Sequence, residues 1–245
     1  MIFNPLMPPG LRYLRKHFGN RPFRLLDVGC GNHSPCKARK FLPYCTYFGI
    51  DRELYNNDAS DLAAMSKFWQ LDLESSDLAD IPDSFFDAIV ISHVIEHLRS
   101  GLDVLRILAA NKLKPSGVIY VEFPSVRSLG LPSMAGTLQF CDDQSHVRVY
   151  SVREIANLLL SQRFRIVSAG RRRLWDRVVF LPAAYVLRRF VQHNASVGGL
   201  FWDLLGFADY VLGEKSCADI VRSPTDRSFE RSDQLASPLK TNGKG

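Results

Sequence analysis

The chain has 245 residues, 46% of them apolar, enough to bury a sizeable core within one enzyme-sized globular domain. A net charge of +6 is modest for a nucleic-acid-binding protein. No stretch reaches the roughly 18 uninterrupted apolar residues of a membrane span, and the first residues lack the basic and apolar regions of a signal peptide. Five cysteines (Cys30, Cys36, Cys45, Cys141 and Cys217) are odd in number and include no C-x-x-C pair, which predicts reduced thiols and a cytoplasmic setting.

In chain order, Phe23 to Val28 reads as a buried strand running into the loop Gly29-Cys30-Gly31-Asn32. Glycine serves where a backbone turns sharply or approaches a ligand closely. The acid ahead of the glycines, Asp27, would repel a phosphate but accept hydrogen bonds from a cationic or hydroxylated ligand. The loop therefore suits a nucleoside-type cofactor carrying an ammonium and no phosphates, a description that S-adenosylmethionine meets. The competing reading is a dinucleotide fingerprint, G-x-G-x-x-G, but its third glycine position is Ser34 and Pro35 follows.

Thr46 to Ile50 is a second strand ending in Asp51, an acid about 20 residues after the glycines and so placed for ribose hydroxyls. Phe68 to Leu71, ending in Asp72, is a third strand candidate. Phe86 to Ser92 is a fourth, with the continuous apolar run of a strand buried on both faces. Leu102, Leu105, Leu108, Ala109 and Leu113 form one stripe of a helix that stops at Lys114-Pro115-Ser116-Gly117, and Val118 to Phe123 is a fifth strand closed by Pro124. This alternation predicts an α/β, doubly wound, mostly parallel sheet with ligands at the carboxyl ends of its strands, where Asp27, Asp51, Asp72, Ser92 and His93 would lie.

In these motifs the sequence resembles the class I S-adenosylmethionine-dependent methyltransferases. The matching stretches are Leu-Leu-Asp-Val-Gly-Cys-Gly (25–31), Phe-Gly-Ile-Asp (48–51), Leu-Asp-Leu (71–73), the run from Phe86 to Leu98, and Leu-Lys-Pro-Ser-Gly-Val (113–118). They follow family order and spacing over roughly residues 20 to 170. The resemblance implies a Rossmann-like seven-stranded sheet with flanking helices. It also implies a cofactor pocket in which Asp27, Gly29, Cys30 and Gly31 line the methionine end, Asp51 the ribose and Asp72 the adenine amino group, with Ser92 and His93 at the end of the fourth strand. Asn32-His33-Ser34 departs from the family's commoner third glycine. A bland reading stays open for the acids: Asp27 and Asp51 as local caps, Asp72 in a solvated loop. Cys30, flanked by glycines and without a paired base, reads as a small buried thiol.

The chemistry is expected to fall to His97 and His146. His97 follows the fourth strand, on the side that faces the methyl group in this fold. His146 precedes Ser151-Val-Arg-Glu154, a capping box that opens a helix through Leu160. In similar methyltransferases a histidine there reaches the substrate side. Either could act as general base for a hydroxyl acceptor; the alternative is that they only order their loops. Glu96 and His97, with His93 one turn back and the distant His146, are also side chains of metal-ligand type. One branch that modifies RNA ends holds a divalent ion with a similar pattern, but its first carboxylate is His93 here, and no metal is assigned.

Residues 163–189 carry eight arginines (163, 165, 171, 172, 173, 177, 188 and 189) against one acid, Asp176, interleaved with apolar and aromatic residues. Four readings stay open: a substrate lid gripping a phosphate or carboxylate, a final pair of strands and amphipathic helices, a contact with an anionic membrane surface, or an RNA-binding segment. The organisation expected is one domain over 1–221, with a cofactor-binding core at about 20–170, a basic and aromatic helical extension at about 171–221, and a disordered tail at 222–245. The expected reaction is methylation, O-methylation slightly preferred, of a small-molecule, lipid-linked or glycan acceptor. Rivals are an RNA-modifying methyltransferase, a nicotinamide oxidoreductase and a catalytically silent binding module. The sequence leaves the oligomeric state open.

Overall fold

The computed structural model describes residue 4 and residues 6–75, 78–190 and 198–217; the tail expected to be disordered lies outside them. The elements in chain order are α1 (Pro9–Phe18), β1 (Phe23–Val28), α2 (Ser34–Phe41), β2 (Cys45–Asp51), α3 (Ala59–Ala64), β3 (Lys67–Gln70), β4 (Phe86–Ser92), α4 (Gly101–Ile107), β5 (Leu113–Pro124), α5 (Val152–Ser161), β6 (Phe164–Arg171), α6 (Trp175–Phe190), α7 (Trp202–Leu205) and β7 (Ala208–Lys215). Local chemistry sets many of their ends. Proline opens α1, where a missing N–H costs nothing, and Arg15, Lys16 and His17 face the negative end of its dipole. Asp58 and Asp61 close a reciprocal capping box on α3, and the Ser151 hydroxyl caps α5 by accepting from Glu154 N.

The seven strands form one sheet in the order β3-β2-β1-β4-β5-β7-β6. The first five are parallel, and β7 runs antiparallel between β5 and β6. Alternate residues feed two cores, because successive side chains of a strand point to opposite faces. Leu26, Val28, Ile89, Ile91, Ile119 and Val121 pack with Leu105 of α4 and Ile155 and Leu159 of α5. Leu25, Tyr47, Val90, Val118 and Tyr120 pack on the other face with Leu11 and Leu14 of α1 and Phe41 of α2. The strand order reverses between β1 and β4, and the crevice above their carboxyl ends is where such a sheet takes its ligand.

The structure departs from the expected elements in two places. The helix after β4 stops as an α-helix at Ile107 and widens into a π-turn over Leu108–Lys112. The wider turn seats the buried Lys112, whose Nζ donates to Ile81 O at 2.8 Å and to Asp83 at 2.6 Å. Leu113 already pairs with Phe86, so β5 starts five residues before Val118, and a bulge opposite Phe86–Ala88 absorbs Lys114 to Gly117. The second departure is β7. It lies beyond the span read as the core, in the part expected to be a helical extension, yet it fills the gap between β5 and β6. Helices are present there as well, in α6 and α7. Among the described residues, no helix is long and apolar enough to cross a membrane.

A buried charge network ties α7 and the chain entering α6 to the sheet. Glu122, 1% exposed near the carboxyl end of β5, accepts from Arg172 Nη1 at 2.8 Å, from the Tyr120 hydroxyl, and from His93 Nε2 at 3.1 Å. Arg172 uses its remaining fork on Asp203 of α7, Nε to Oδ1 at 3.1 Å and Nη2 to Oδ2 at 3.2 Å. Removing one member of a buried pair leaves an uncompensated charge, at a cost of roughly 3–5 kcal/mol. Arg172→Ala should therefore lower the urea midpoint sharply. Arg172→Lys should recover only part of it, because an ammonium cannot reproduce the bidentate fork.

Candidate functional site

The loop after β1 is held against β2 by its own backbone: Gly29 N and Cys30 N both donate to Ile50 O, at 2.8 and 3.2 Å. Gly29 adopts φ +78, and a Cβ there would stand 2.3 Å from Val94 Cγ2, so only glycine fits. A Cβ on Gly31 would lie 2.9 Å from Tyr55 O. The third glycine of the commoner pattern is replaced by Asn32 and His33, both in the left-handed region at φ 56 and 57. Asn and His reach that conformation more readily than most residues.

Asp27 and Asp51 end adjacent strands. The Asp27 carboxyl is buried and accepts from the Tyr47 hydroxyl at 2.6 Å. Burial pushes its pKa up to about 7 and the neighbouring Asp51 adds to that, against the Tyr47 bond and the Lys37 charge. Burial also raises Asp51, while the N–H groups of Arg52, Glu53 and Gly31 hold it down. Cys30 is directed differently: its thiol packs under the loop, where a Cβ on Gly49 would come within 2.6 Å of it. Burial and the Asp27 and Asp51 charges push the thiol up, so it stays protonated and unreactive. Asp72, past β3, spends Oδ1 on Glu74 N at 2.9 Å.

Ser92 closes β4 opposite Glu122. His93 follows at φ +56 with both ring nitrogens engaged, Nδ1 on Glu96 Oε1 and Nε2 on Glu122 Oε1, each at 3.1 Å. Its ring lies 4.8 Å from that of Trp202 and 6.0 Å from that of Phe207. Burial works against its charge, but the bonds to Glu122 and Glu96 win and raise its pKa to about 9. His93 is thus held as a cation, its backbone N–H also donated to Glu122 O at 2.9 Å.

A short 3₁₀ turn, Ile95–His97, then presents Glu96 and His97. The loop before α5 is drawn onto it by two backbone bonds, from Val147 N and Arg148 N to Glu96 O at 2.9 and 3.2 Å. That brings the His97 and His146 rings to 4.7 Å. His97 Nδ1 meets the Ser145 hydroxyl at 2.9 Å. His146 donates from Nδ1 to Phe140 O at 2.7 Å, and its Nε2 lies between two carboxylates, 3.8 Å from Asp143 Oδ2 and 4.0 Å from Glu96 Oε1. Sequence reasoning passed over Glu122, Asp203 and Tyr47. A charged residue inside the apolar run from Val118 to Phe123 was the available signal for Glu122.

The arginine-rich segment is partly consumed inside the molecule. Arg165 pairs with Glu214, Arg172 with Glu122 and Asp203, and Arg177 with Asp203, while Asp176 pairs with Arg12. Arg171 and Arg173 stay exposed, and α6 presents Trp175, Val179, Val186 and Leu187 to solvent.

The strand order, the glycine loop and the two acids at the ends of β1 and β2 define a Rossmann-like fold of the class I methyltransferase type. Residues 4–169 match the family model described as a methyltransferase domain, and the chain belongs to that family. It is an enzyme of the S-adenosylmethionine-dependent methyltransferase class. No curated protein matches it in sequence. Among solved structures it is similar to an S-adenosylmethionine-dependent methyltransferase from Archaeoglobus fulgidus, with 21% identity over 84% of this chain and 93% of that one and a TM-score of 0.53. It is also similar to a phosphoethanolamine N-methyltransferase from Haemonchus contortus in complex with phosphomonomethylethanolamine and S-adenosylhomocysteine (14% identity, 85% and 52% covered, TM-score 0.61). A third is the 1,6-didemethyltoxoflavin N1-methyltransferase of Burkholderia thailandensis, with that substrate and S-adenosylhomocysteine bound (15%, 86% and 78%, 0.54). At these identities the likenesses show the fold.

The raised Asp27 carboxyl has a measurable consequence. Unfolded, the group loses its proton near pH ~4; folded, it keeps it to about pH 7. The native state holds the extra proton across that window, so this group withdraws stability as pH rises through it. Asp27→Asn should gain stability relative to the parent between pH 4 and 7 and hold a constant advantage above that, read from urea midpoints across pH.

Proposed function

We propose that the chain transfers the methyl group of S-adenosylmethionine to a hydroxyl of a small-molecule, lipid-linked or glycan acceptor. The observation that carries this reading is Asp27: a buried carboxylate, bonded to one tyrosine and raised to about 7, at the carboxyl end of β1 beside a glycine loop. Such a group favours a cationic partner, which the cofactor's ammonium supplies, whereas a dinucleotide's phosphates would add a further like charge. The donor set fits that cofactor. Asp27 would hold the methionine ammonium, Asp51 the ribose hydroxyls and Asp72 the adenine amino group, with the Gly29 to Gly31 backbone and Ser92 completing the wall. When bound, S-adenosylmethionine supplies an electrophilic methyl on a sulfonium.

The protein's own part is alignment and proton handling. Alignment of two reactants can be worth about 7–11 kcal/mol at best. A positioned base adds roughly 10²–10⁴-fold. His146 is suited to that role because its Nδ1 is committed to Phe140 O and its Nε2 lies 3.8 and 4.0 Å from the Asp143 and Glu96 carboxylates, which would stabilise a proton taken up there; His97, at 4.7 Å, is the second candidate. The preference for a hydroxyl acceptor rests on these imidazoles. The small substrates bound by the Haemonchus and Burkholderia enzymes support a small-molecule acceptor. The exposed apolar side chains of α6, beside Arg171 and Arg173, support the lipid-linked variant, with the helix resting on an anionic surface.

Calorimetric titration with S-adenosylmethionine, S-adenosylhomocysteine and NAD tests the pocket. The first two are expected to bind with roughly micromolar affinity, falling about tenfold per pH unit below pH 7 as Asp27 takes up its proton. Asp27→Asn should flatten that dependence. Binding of NAD alone would overturn the reading. His146→Ala should lower turnover by roughly 10²–10⁴-fold while leaving cofactor affinity intact.

A further inference from the structure

A surface helix ordinarily turns its apolar side to the core and its charges to water. In α6 the arrangement is reversed. Its charges near the start are held inward: Asp176 is buried against Arg12, and Arg177 pairs with Asp203 and donates to Met7 O at 3.2 Å. Trp175, Val179, Pro182 and Val186, spaced i, i+4, i+7 and i+11 and so on one side of the helix, face solvent. Trp175 is 65% exposed, Val179 67% and Val186 54%. Tyr185 and Leu187 are exposed beside them. By contrast, α3, α4 and α5 each expose a single large apolar side chain, Leu62, Ile107 and Leu160, which is ordinary for a protein surface.

The charge pattern around the stripe indicates what covers it. Residues 178–187 contain no charged side chain, and arginines bracket them. Arg171 and Arg173, both exposed, precede the helix, and Arg188 and Arg189 stand near its end. No acid occurs between Asp176 and Asp203, and both of those are buried in ion pairs. The segment therefore offers apolar surface with positive charge at both ends. A second copy of the chain fits it badly, because pairing two such helices in either direction brings arginine against arginine. RNA would take up the arginines and leave Val179, Pro182 and Val186 uncovered. An anionic bilayer answers both features. Its headgroup phosphates match the arginines, its acyl boundary takes the apolar side chains, and tryptophan favours the level between them.

We propose that α6 is a docking helix that lies in the surface plane of an anionic lipid bilayer, with the stripe from Trp175 to Val186 below the headgroups. At 16 residues, interrupted by Pro182, it is too short to span one. Because β7 is antiparallel to both β5 and β6, β6 runs with the parallel strands and ends at the carboxyl edge of the sheet. The helix starts four residues past Arg171, the last residue of β6, so docking brings that edge to the membrane. The docking surface stands on α6 alone; delivery of a lipid-linked acceptor to that edge rests on the methyl-transfer reading.

Full-length protein is mixed with vesicles of phosphatidylcholine, alone or with added phosphatidylglycerol, and binding is read by flotation. Binding to the anionic vesicles is expected, falling as salt rises from about 50 to about 500 mM. Val179→Asp combined with Val186→Asp should weaken it at least about tenfold, while Leu160→Asp, on α5, should leave it unchanged. Circular dichroism verifies that each variant is folded. If the double variant does not fold, the parent's tryptophan emission carries the test: it should shift to the blue on anionic vesicles, and Trp175→Phe should remove the shift. Absence of flotation at about 1 mM lipid, equal binding to neutral vesicles, or undiminished binding in the double variant overturns the proposal. So does self-association, or retention of single-stranded RNA, that the same substitutions abolish in place of vesicle binding. Titration of S-adenosylmethionine without vesicles keeps that failure distinct from failure of the methyltransferase reading.

Discussion

The rest of the structure turns on one carboxylate, Glu122, placed inside an apolar strand between two other strands. A buried carboxylate that is not compensated is not tolerated, so three distant segments must converge on it. Arg172 arrives from the end of β6, His93 from the end of β4, and Asp203 follows on α7 to complete the fork of Arg172. Packing of α7 against the sheet and the left-handed turn at His93 are both parts of that compensation. The turn at His93 in turn aims the next residues, Glu96 and His97, at the loop that carries His146.

The carboxyl edge of the sheet therefore divides into two electrostatic regions. Glu122 is held well below the usual carboxylate range by Arg172 and His93, although burial alone would raise it. Asp27, also buried, has a phenol and the weaker pull of the Lys37 charge, and burial wins. The first carboxylate is already neutralised by the protein, and its contribution is structural. The second is not neutralised in this way. Two buried acids a few strands apart thus serve different purposes, and the difference lies in their neighbours.

Much of this was legible in the residues. The strand, glycine loop and acid pattern from Phe23 to Asp51 reports its own geometry, because Gly29 needs a conformation only glycine adopts freely and Asp27 and Asp51 fall at strand ends set by the apolar runs. The parallel core strands matched their hydrophobic runs to within a few residues. The exception was β5, where a bulge extended the pairing back to Leu113. What local pattern could not show was β7: Ala208–Lys215 follows a segment rich in arginine and aromatics, and its strand character is realised only when β5 and β6 offer edges on both sides. The arginines misled for a related reason. Counted along the chain they are a free positive charge; in space, Arg165, Arg172 and Arg177 are paired with Glu214, Glu122 and Asp203.

The sequence by itself determined the fold class, the methyltransferase family and the acids and glycines at the ends of β1 and β2, because these depend on spacing along one or two adjacent elements. Only the tertiary structure decided the state and company of the charged side chains. It made His93 a caged cation, set His146 Nε2 between the Asp143 and Glu96 carboxylates and left Glu96 with an unpaired oxygen. The charge on His93 depends on desolvation and on Glu122, 29 residues away and itself paired with Arg172 a further 50 residues on, distances over which no sequence period carries information.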